Sequence, residues 1–403
     1  MKRAIQVVSV ILFVSLLAQV AIGQGAAAPA GERGARRGGA RGAGMAGFDF
    51  SAFAGFGGGP VDPNQWWNIR NIGTFRYQDS KKLPLISVKG NKFVDPEGKT
   101  VLFKGISISD PDKIEYQGHW NKAHFEQVKA MGAKLVRIPV HPIAWRQHTP
   151  EKYVELLDQA VQWCTELDMY VIIDWHSIGN LVTELFQDPM YETTRKETFE
   201  FWRIISRRYA GNNTVAFYEL FNEPTIYREQ LGRAPWSQWK EMIEEMIHII
   251  RGYDKETIPL VAGFDWAYDL TPLRREPINE PNIGYVTHCY INKRNDPHWE
   301  SKWEEDFGFA ADTYPVVATE FSIGGGGGMM SFGRRGGTAQ QQDPKEGYDY
   351  RIIKYLEGKG ISWLTWVFDP EWGPAMLRNW DYELSEGGEA TKKALAGELQ
   401  KTE

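Results

Sequence analysis

The chain has 403 residues, 42% of them hydrophobic and 24% charged, which is the composition of one large or two medium globular domains and excludes a fibrous or wholly disordered chain. A formal net charge of −6 leaves no basic footprint, so nucleic acid is not expected as a partner. The two cysteines, Cys164 and Cys289, lack the CxxC spacing of a zinc site; they are expected as buried free thiols, with one disulfide between them the alternative in an oxidising compartment.

Lys2 and Arg3 precede an apolar run from Val7 to Ala18, and Ala21-Ile22-Gly23 places small residues where a signal peptidase cuts. Residues 1–23 therefore read as a signal peptide, too short in its apolar part for a comfortable membrane span. The mature protein is expected to be secreted or periplasmic. Residues 24–62 are rich in Gly, Ala and Arg and nearly free of apolar periodicity, which reads as a disordered linker. Residues 63–403 read as a single folded domain. Near its start, Ile86-Ser87-Val88 and Lys92-Phe93-Val94 flank Lys89-Gly90-Asn91, the pattern of a small β-hairpin.

From there strands and helices alternate. Eight strand-like runs lie at 101–107, 134–140, 170–175, 215–221, 259–264, 285–291, 316–321 and 362–368. They are continuously apolar, the mark of strands covered on both faces in a parallel sheet. The clearest helix spans 149–168, with Thr149 at the N-cap position, Pro150 in the first turn, and Val154, Leu157, Val161 and Cys164 on one face. Stretches 199–208 and 236–250 are similar, whereas Pro272 and Pro277 interrupt the segment between the fifth and sixth strands. Eight strand–helix units predict an α/β fold, a (β/α)8 TIM barrel preceded by the small N-terminal hairpin. An open doubly wound sheet would want GxGxxG after its first strand, and Gly105-Ile106-Ser107-Ile108-Ser109 does not supply it.

In a barrel, residues at the C-terminal ends of the strands gather at one mouth. Two apolar runs stop at acids there: Phe217-Tyr218-Glu219-Leu220-Phe221-Asn222-Glu223 and Val316-Val317-Ala318-Thr319-Glu320. Burying a charge is costly, so an acid in that position has a task. The other strand exits carry Arg137 and His141, Asp174-Trp175-His176, Asp265-Trp266, then His288 and Tyr290 on one face, and Trp366 followed by Asp369. A single strand-end histidine is more often structural, and a single tryptophan is as often core as sugar platform. The joint series of acids, amide, imidazoles and indoles is what points to chemistry. Two carboxylates facing each other across a cleft are the machinery of glycoside hydrolysis.

Asn222-Glu223-Pro224 closing the fourth strand, with Glu320 closing the seventh, resembles glycoside hydrolase family 5 in clan A, the cellulase and mannanase family. The family's ordered set can be filled throughout by Arg137, His176, Asn222, Glu223, His288, Tyr290, Glu320 and Trp366. The resemblance implies a retaining mechanism with Glu320 as nucleophile and Glu223 as acid/base, their carboxyl groups about 5–5.5 Å apart. It also implies Glu223 protonated and Glu320 ionised at rest, with Arg137 and Tyr290 holding the charge on Glu320. Asn222 would bind the sugar 2-hydroxyl, Trp366 would stack under the sugar, His288 would modulate Glu223, and His176 would support substrate hydroxyls or the arginine. His141 and Trp266 join as substrate-binding candidates, with Trp175 and Trp372 behind them. The expected substrate is β-glucan, through endo-β-1,4-glucanase action, with β-mannan second.

A metal-dependent barrel hydrolase would want paired ligands of the form His-x-His. His288-Cys289-Tyr290 and Asp174-Trp175-His176 are not of that form, and HExxH and GxSxG are absent. No cofactor, metal or protein partner is expected. A non-catalytic glycan-binding barrel would keep its tryptophans and lose a glutamate, and both glutamates are present. The glycine-rich stretch after Ile323 reads as a lid with Gly hinges or as an insertion.

Overall fold

The computed structural model describes residues 72–77, 81–294, 298–324 and 347–399, all within the unit 60–403. The readings made on residues 1–62 and on the glycine-rich stretch beyond Gly324 lie outside the described residues.

Eight parallel strands close into a barrel: β1 (Lys104–Ile108), β2 (Leu135–Val140), β3 (Tyr170–Trp175), β4 (Val215–Glu219), β5 (Ile258–Ala262), β6 (Gly284–His288), β7 (Val316–Glu320) and β8 (Ser362–Phe368). Every residue of β2 and of β4 to β8 is buried, which is why these segments read as unbroken apolar runs. One apolar cluster fills the barrel interior with Phe103, Leu135, Ile172, Phe217, Leu260, Val286, Val317 and Leu364. The hairpin, Ser87–Lys89 paired with Lys92–Val94, joins the same cluster and inserts Phe93, whose ring meets Phe217 edge-on at 5.0 Å. These residues sit toward the strand beginnings, so the hairpin closes the bottom of the barrel and the opposite end remains for chemistry. The second, larger cluster lies between the strands and the surrounding helices.

The helices Pro150–Glu166, Arg195–Tyr209 and Trp236–Arg251 fulfil the three helical expectations, the first slightly shorter than read and the other two longer. Thr149 occupies the expected N-cap position and its carbonyl accepts from the Tyr153 N–H at 3.0 Å, but at a φ of 69° its side chain makes no capping hydrogen bond, and Pro150 starts the first turn. Between β5 and β6 there is only the short turn Phe264–Ala267 and the 3₁₀ turn Thr271–Arg274, as the prolines dictate. Cys164 and Cys289 are buried and unbridged, and burial pushes both thiols up.

Two features of register bring acids together at the barrel mouth. Asp174 on β3 lies opposite Glu219 on β4, and His288 on β6 lies opposite Glu320 on β7. In addition, β4 stops at Glu219, and Glu223–Pro224 forms a separate short strand beside Ile178–Asn180, which also pairs with Leu185–Phe186. This three-stranded sheet was not foreseen. Its strands have only two or three residues, too few for a period to show.

Candidate active site

The site grows from Arg137. It occupies an interior position of β2 and is 0% exposed, so its charge demands buried partners. It has four. Nε and Nη2 donate to Glu219 Oε2 and Oε1 at 2.6 and 3.0 Å. Nη1 donates to Glu320 Oε1 at 2.7 Å, and Nη2 also reaches Asn222 Oδ1 at 2.6 Å and Asp174 Oδ2 at 2.9 Å. Burial alone would lower the guanidinium pKa, but Asp174, Glu219 and Glu320 outweigh it and hold it well above its ordinary value. The planar fork thus ties the ends of β3 and β4 to the end of β7 across the barrel mouth.

Glu320, at the end of β7, accepts from Arg137 at one oxygen and from the Tyr290 hydroxyl at the other, 3.1 Å away. Burial pulls its pKa upward, opposed by His288 and Arg137. That direction differs from the expected one. The hydrogen-bond pattern, two donors on two oxygens, is nevertheless that of a carboxylate and holds the ionised form against the upward pull. Tyr290 stays a donor, because burial and Glu320 raise its phenol well above the ordinary value.

Glu223 reaches the same space from the short strand after β4. His288 joins the two acids: Nδ1 is 2.9 Å from Glu223 Oε1 and 3.8 Å from Glu320 Oε2. Single atoms of Glu223, His288 and Glu320 all fall within 4.8 Å of one another. Burial would lower the His288 pKa, but Glu320, Glu219 and Glu223 raise it to about 9. Among the described residues this is the one trio whose atom types and spacing could hold a metal ion. A protonated imidazole has no lone pair to give, so the trio is better suited to moving a proton than to ligating a cation.

Asn222 accepts from Arg137 through its oxygen, and its buried Nδ2 has no partner among the described residues. That leaves a buried donor beside Arg137, its amide oriented by the guanidinium. His176 Nδ1 lies 2.6 Å from Asp174 Oδ2, and the same oxygen lies 2.9 Å from Arg137 Nη2, so Asp174 links the imidazole to the arginine. Burial and His141 hold the His176 imidazole well below its ordinary pKa. Its ring lies parallel to Trp366, 5° between planes and 5.2 Å between centroids, and Trp366 in turn stacks on Trp372 at 6.3 Å. His141 follows β2, packs against His176 and Trp372, and is aimed by Asp110, which takes both its Nδ1 at 2.9 Å and its backbone N–H at 2.8 Å.

Trp266 stands apart from this cluster. It is half-buried on the turn after β5, packed beside Glu223–Pro224, with its Nε1 donating to Gln187 at 2.8 Å and its ring edge-on to Tyr227. Trp175 faces outward, packed on Phe201 with its Nε1 bonded to Thr198, and is core. A cavity of about 360 Å³ continues past Trp366 along Ser322, Met376 and Arg378.

The structure therefore brings together Arg137, His141, His176, Asn222, Glu223, His288, Tyr290, Glu320 and Trp366. Sequence reasoning missed Glu219 and Asp174 as partners of Arg137. The available signal was charge balance: an acid inside the run Phe217-Tyr218-Glu219-Leu220 requires a buried cation, and Arg137 is the one cation within β2.

Comparison with known proteins agrees with this geometry. The model of the cellulase family, glycosyl hydrolase family 5, matches residues 94–371. A β-glucanase from Saccharophagus degradans superposes with a TM-score of 0.75 at 44% identity, over 83% of this chain and 99% of that one. The same enzyme has also been solved in complex with cellotetraose. Endoglucanase A of Butyrivibrio fibrisolvens is 29% identical over 215 residues, 51% of this chain and 45% of that protein. Endoglucanase E-5 of Thermobifida fusca is 26% identical over 296 residues, 71% and 56% respectively. The chain thus spans about half the length of these two relatives.

Proposed function

Because the chain belongs to glycosyl hydrolase family 5, we propose that it is a retaining endo-β-1,4-glucanase acting on β-glucan outside the cytoplasm. One observation carries the chemistry: carboxylate oxygens of Glu223 and Glu320 lie within 4.8 Å of each other with His288 between them. Retaining enzymes hold their carboxyl groups about 5–5.5 Å apart, whereas inverting ones need about 6.5–9.5 Å to admit a water.

In the first step Glu320 attacks the anomeric carbon, the glycosidic C–O bond breaks, and Glu223 gives its proton to the departing oxygen. Oε2 is the attacking atom the geometry favours, because Oε1 is held by Arg137 and only the Tyr290 hydroxyl must yield. In the second step Glu223, now a carboxylate, takes a proton from water as that water's oxygen attacks the same carbon and releases Glu320. The unpartnered Asn222 Nδ2 donates to the sugar 2-hydroxyl, a contact that tightens in the transition state. Trp366 supplies the apolar face beneath the sugar.

The substrate reading draws on the S. degradans β-glucanase, which this chain matches over nearly its whole length and which has been solved with cellotetraose. The location draws on the signal-like residues 1–23. A panel of soluble cellulose, mixed-linkage β-glucan and mannan, read by product length and by proton NMR of the first anomer formed, tests the proposal. We expect oligosaccharides with the β-anomer first. The α-anomer first would reject retention, release of glucose alone would reject endo action, and cleavage of mannan only would reject the glucan reading. The N-terminal sequence of protein recovered from the culture medium or periplasm tests the location.

A further inference from the structure

Thr319 precedes Glu320 on β7, and neither the family's ordered set nor the mechanism above gives it a part. Its side chain is fully buried between two groups of the site. Oγ1 lies 3.0 Å from His288 Nε2 and 3.0 Å from Glu219 Oε1. A hydroxyl has one proton to give. Burial would raise the Glu219 pKa, but Arg137 and His288 outweigh it and hold the group below the ordinary carboxylate range, so Glu219 can only accept. The Thr319 proton therefore goes to Glu219, and the lone pair that remains can only accept from an N–H on His288 Nε2.

Three carboxyl groups face the His288 ring: Glu223 at 2.9 Å and Glu320 at 3.8 Å from Nδ1, and Glu219 at 3.6 Å from Nε2. Arg137, Asp174, His176, Tyr191, Tyr290 and Lys293 are further charged or titratable groups that interact with this cluster. We propose that Thr319 and Glu219 are positioning residues that lock His288 in its Nε2–H tautomer, so that Nδ1 of His288 and Oε1 of Glu223 share one proton. The proposal rests on Glu223 being the acid/base.

The lock has a consequence for pH. With Nε2–H fixed, the shared proton sits either on Glu223, donating to Nδ1, or on Nδ1, donating to Glu223. Its loss leaves a bare nitrogen lone pair 2.9 Å from a carboxylate. That repulsion disfavours the fully deprotonated pair and holds the acid form of the site to high pH. Without the Thr319 acceptor, the neutral ring is free to move its proton to Nδ1 and donate to the Glu223 carboxylate. The deprotonated pair is then stabilised and forms at lower pH.

The test compares Thr319→Val, which removes the hydroxyl at constant volume, with Thr319→Ser, which keeps it. In Thr319→Val we expect the basic limb of the pH profile of kcat/KM to move down by about one unit, and in Thr319→Ser to stay in place. A loss of rate at every pH with the limb unmoved would leave Thr319 a structural role only and overturn the proposal. An independent readout uses nitrogen NMR of the full chain labelled at histidine. His288 Nε2 should remain protonated on both sides of the limb in the unmodified protein. A neutral His288 carrying its proton on Nδ1 would overturn the lock even if Thr319→Val failed to fold. Because the spectrum requires no turnover, failure of the lock and failure of the glycosidase reading give separate results.

Discussion

The floor of the cleft and its outer rim are built by different means. The floor consists of Arg137, Asp174, Glu219 and Thr319, each 0% exposed and each on a barrel strand. Strand register places them, and ion pairs and hydrogen bonds of 2.6 to 3.0 Å hold them. The rim, by contrast, carries Trp266 and Tyr227 on turns whose backbone is left-handed at successive non-glycine residues. These are Tyr227, Arg228 and Glu229 (φ 38, 54 and 66°) and Asp265, Trp266 and Ala267 (φ 57, 55 and 58°). Such a conformation costs about 1–2 kcal/mol per residue, so the surroundings must impose it. Lys293 does part of this, donating to the Asp265 carbonyl at 2.7 Å with its ammonium 4.9 Å from the Trp266 ring. The contrast separates groups fixed by the register of strands from groups carried on turns, which can vary without disturbing the barrel.

The largest expected effect is at Glu320, which the floor holds through Arg137. Glu320→Ala should lower kcat by roughly four orders of magnitude or more on every substrate while the fold survives. Retained turnover would remove Glu320 from the nucleophile's place. Arg137→Met should cost about 3–5 kcal/mol in urea unfolding, because it strands buried carboxylates without their cation. A loss under 1 kcal/mol would show those acids to be neutral in the native state. Glu223→Ala should lose roughly 10²–10⁴-fold on polysaccharide and far less on aryl glycosides with good leaving groups, which need no proton in the first step. Equal losses on both would argue against the acid/base role.

Stability should also depend on pH through His288. Its pKa stands at about 9 against an ordinary 6.5, so its contribution is complete below about pH 6.5 and is lost as pH rises through 9. Unfolding free energies at pH 6 and pH 10 should differ by on the order of 3 kcal/mol more in the unmodified protein than in His288→Gln. Identical pH dependence in the two would contradict a charged His288. The smallest effect belongs to the rim. Trp266→Ala should weaken binding of longer oligosaccharides by about 1 kcal/mol and leave turnover of a short aryl glycoside nearly unchanged. Equal losses on long and short substrates would place Trp266 at the reaction centre instead.

Most of the reaction site was legible in the sequence because catalysis and architecture leave the same trace, a polar residue in or just after an apolar run. Arg137, Glu223, His288 and Glu320 were visible in that way. Glu219 and Thr319 were not, since their meaning depends on which strands are neighbours and on cross-strand register, which no linear pattern encodes. The exits of the fourth and sixth strands were read a few residues late, because the apolar pattern runs on past Glu219 and His288 after regular pairing has ended. At the rim, neither the left-handed turn carrying Trp266 nor the short sheet holding Glu223 had a local signal, because non-glycine residues occupy positions where glycine would have announced the turn.

Whether Glu320 becomes covalently bonded to sugar can be measured on the intact protein. A 2-deoxy-2-fluoro cellobioside with an activated leaving group slows the second step more than the first, so the glycosyl-enzyme accumulates. Mass spectrometry should then show one added fluorocellobiosyl unit, carried by the peptide containing Glu320. A productive reaction with no adduct, or an adduct on any other carboxylate, would contradict the assignment.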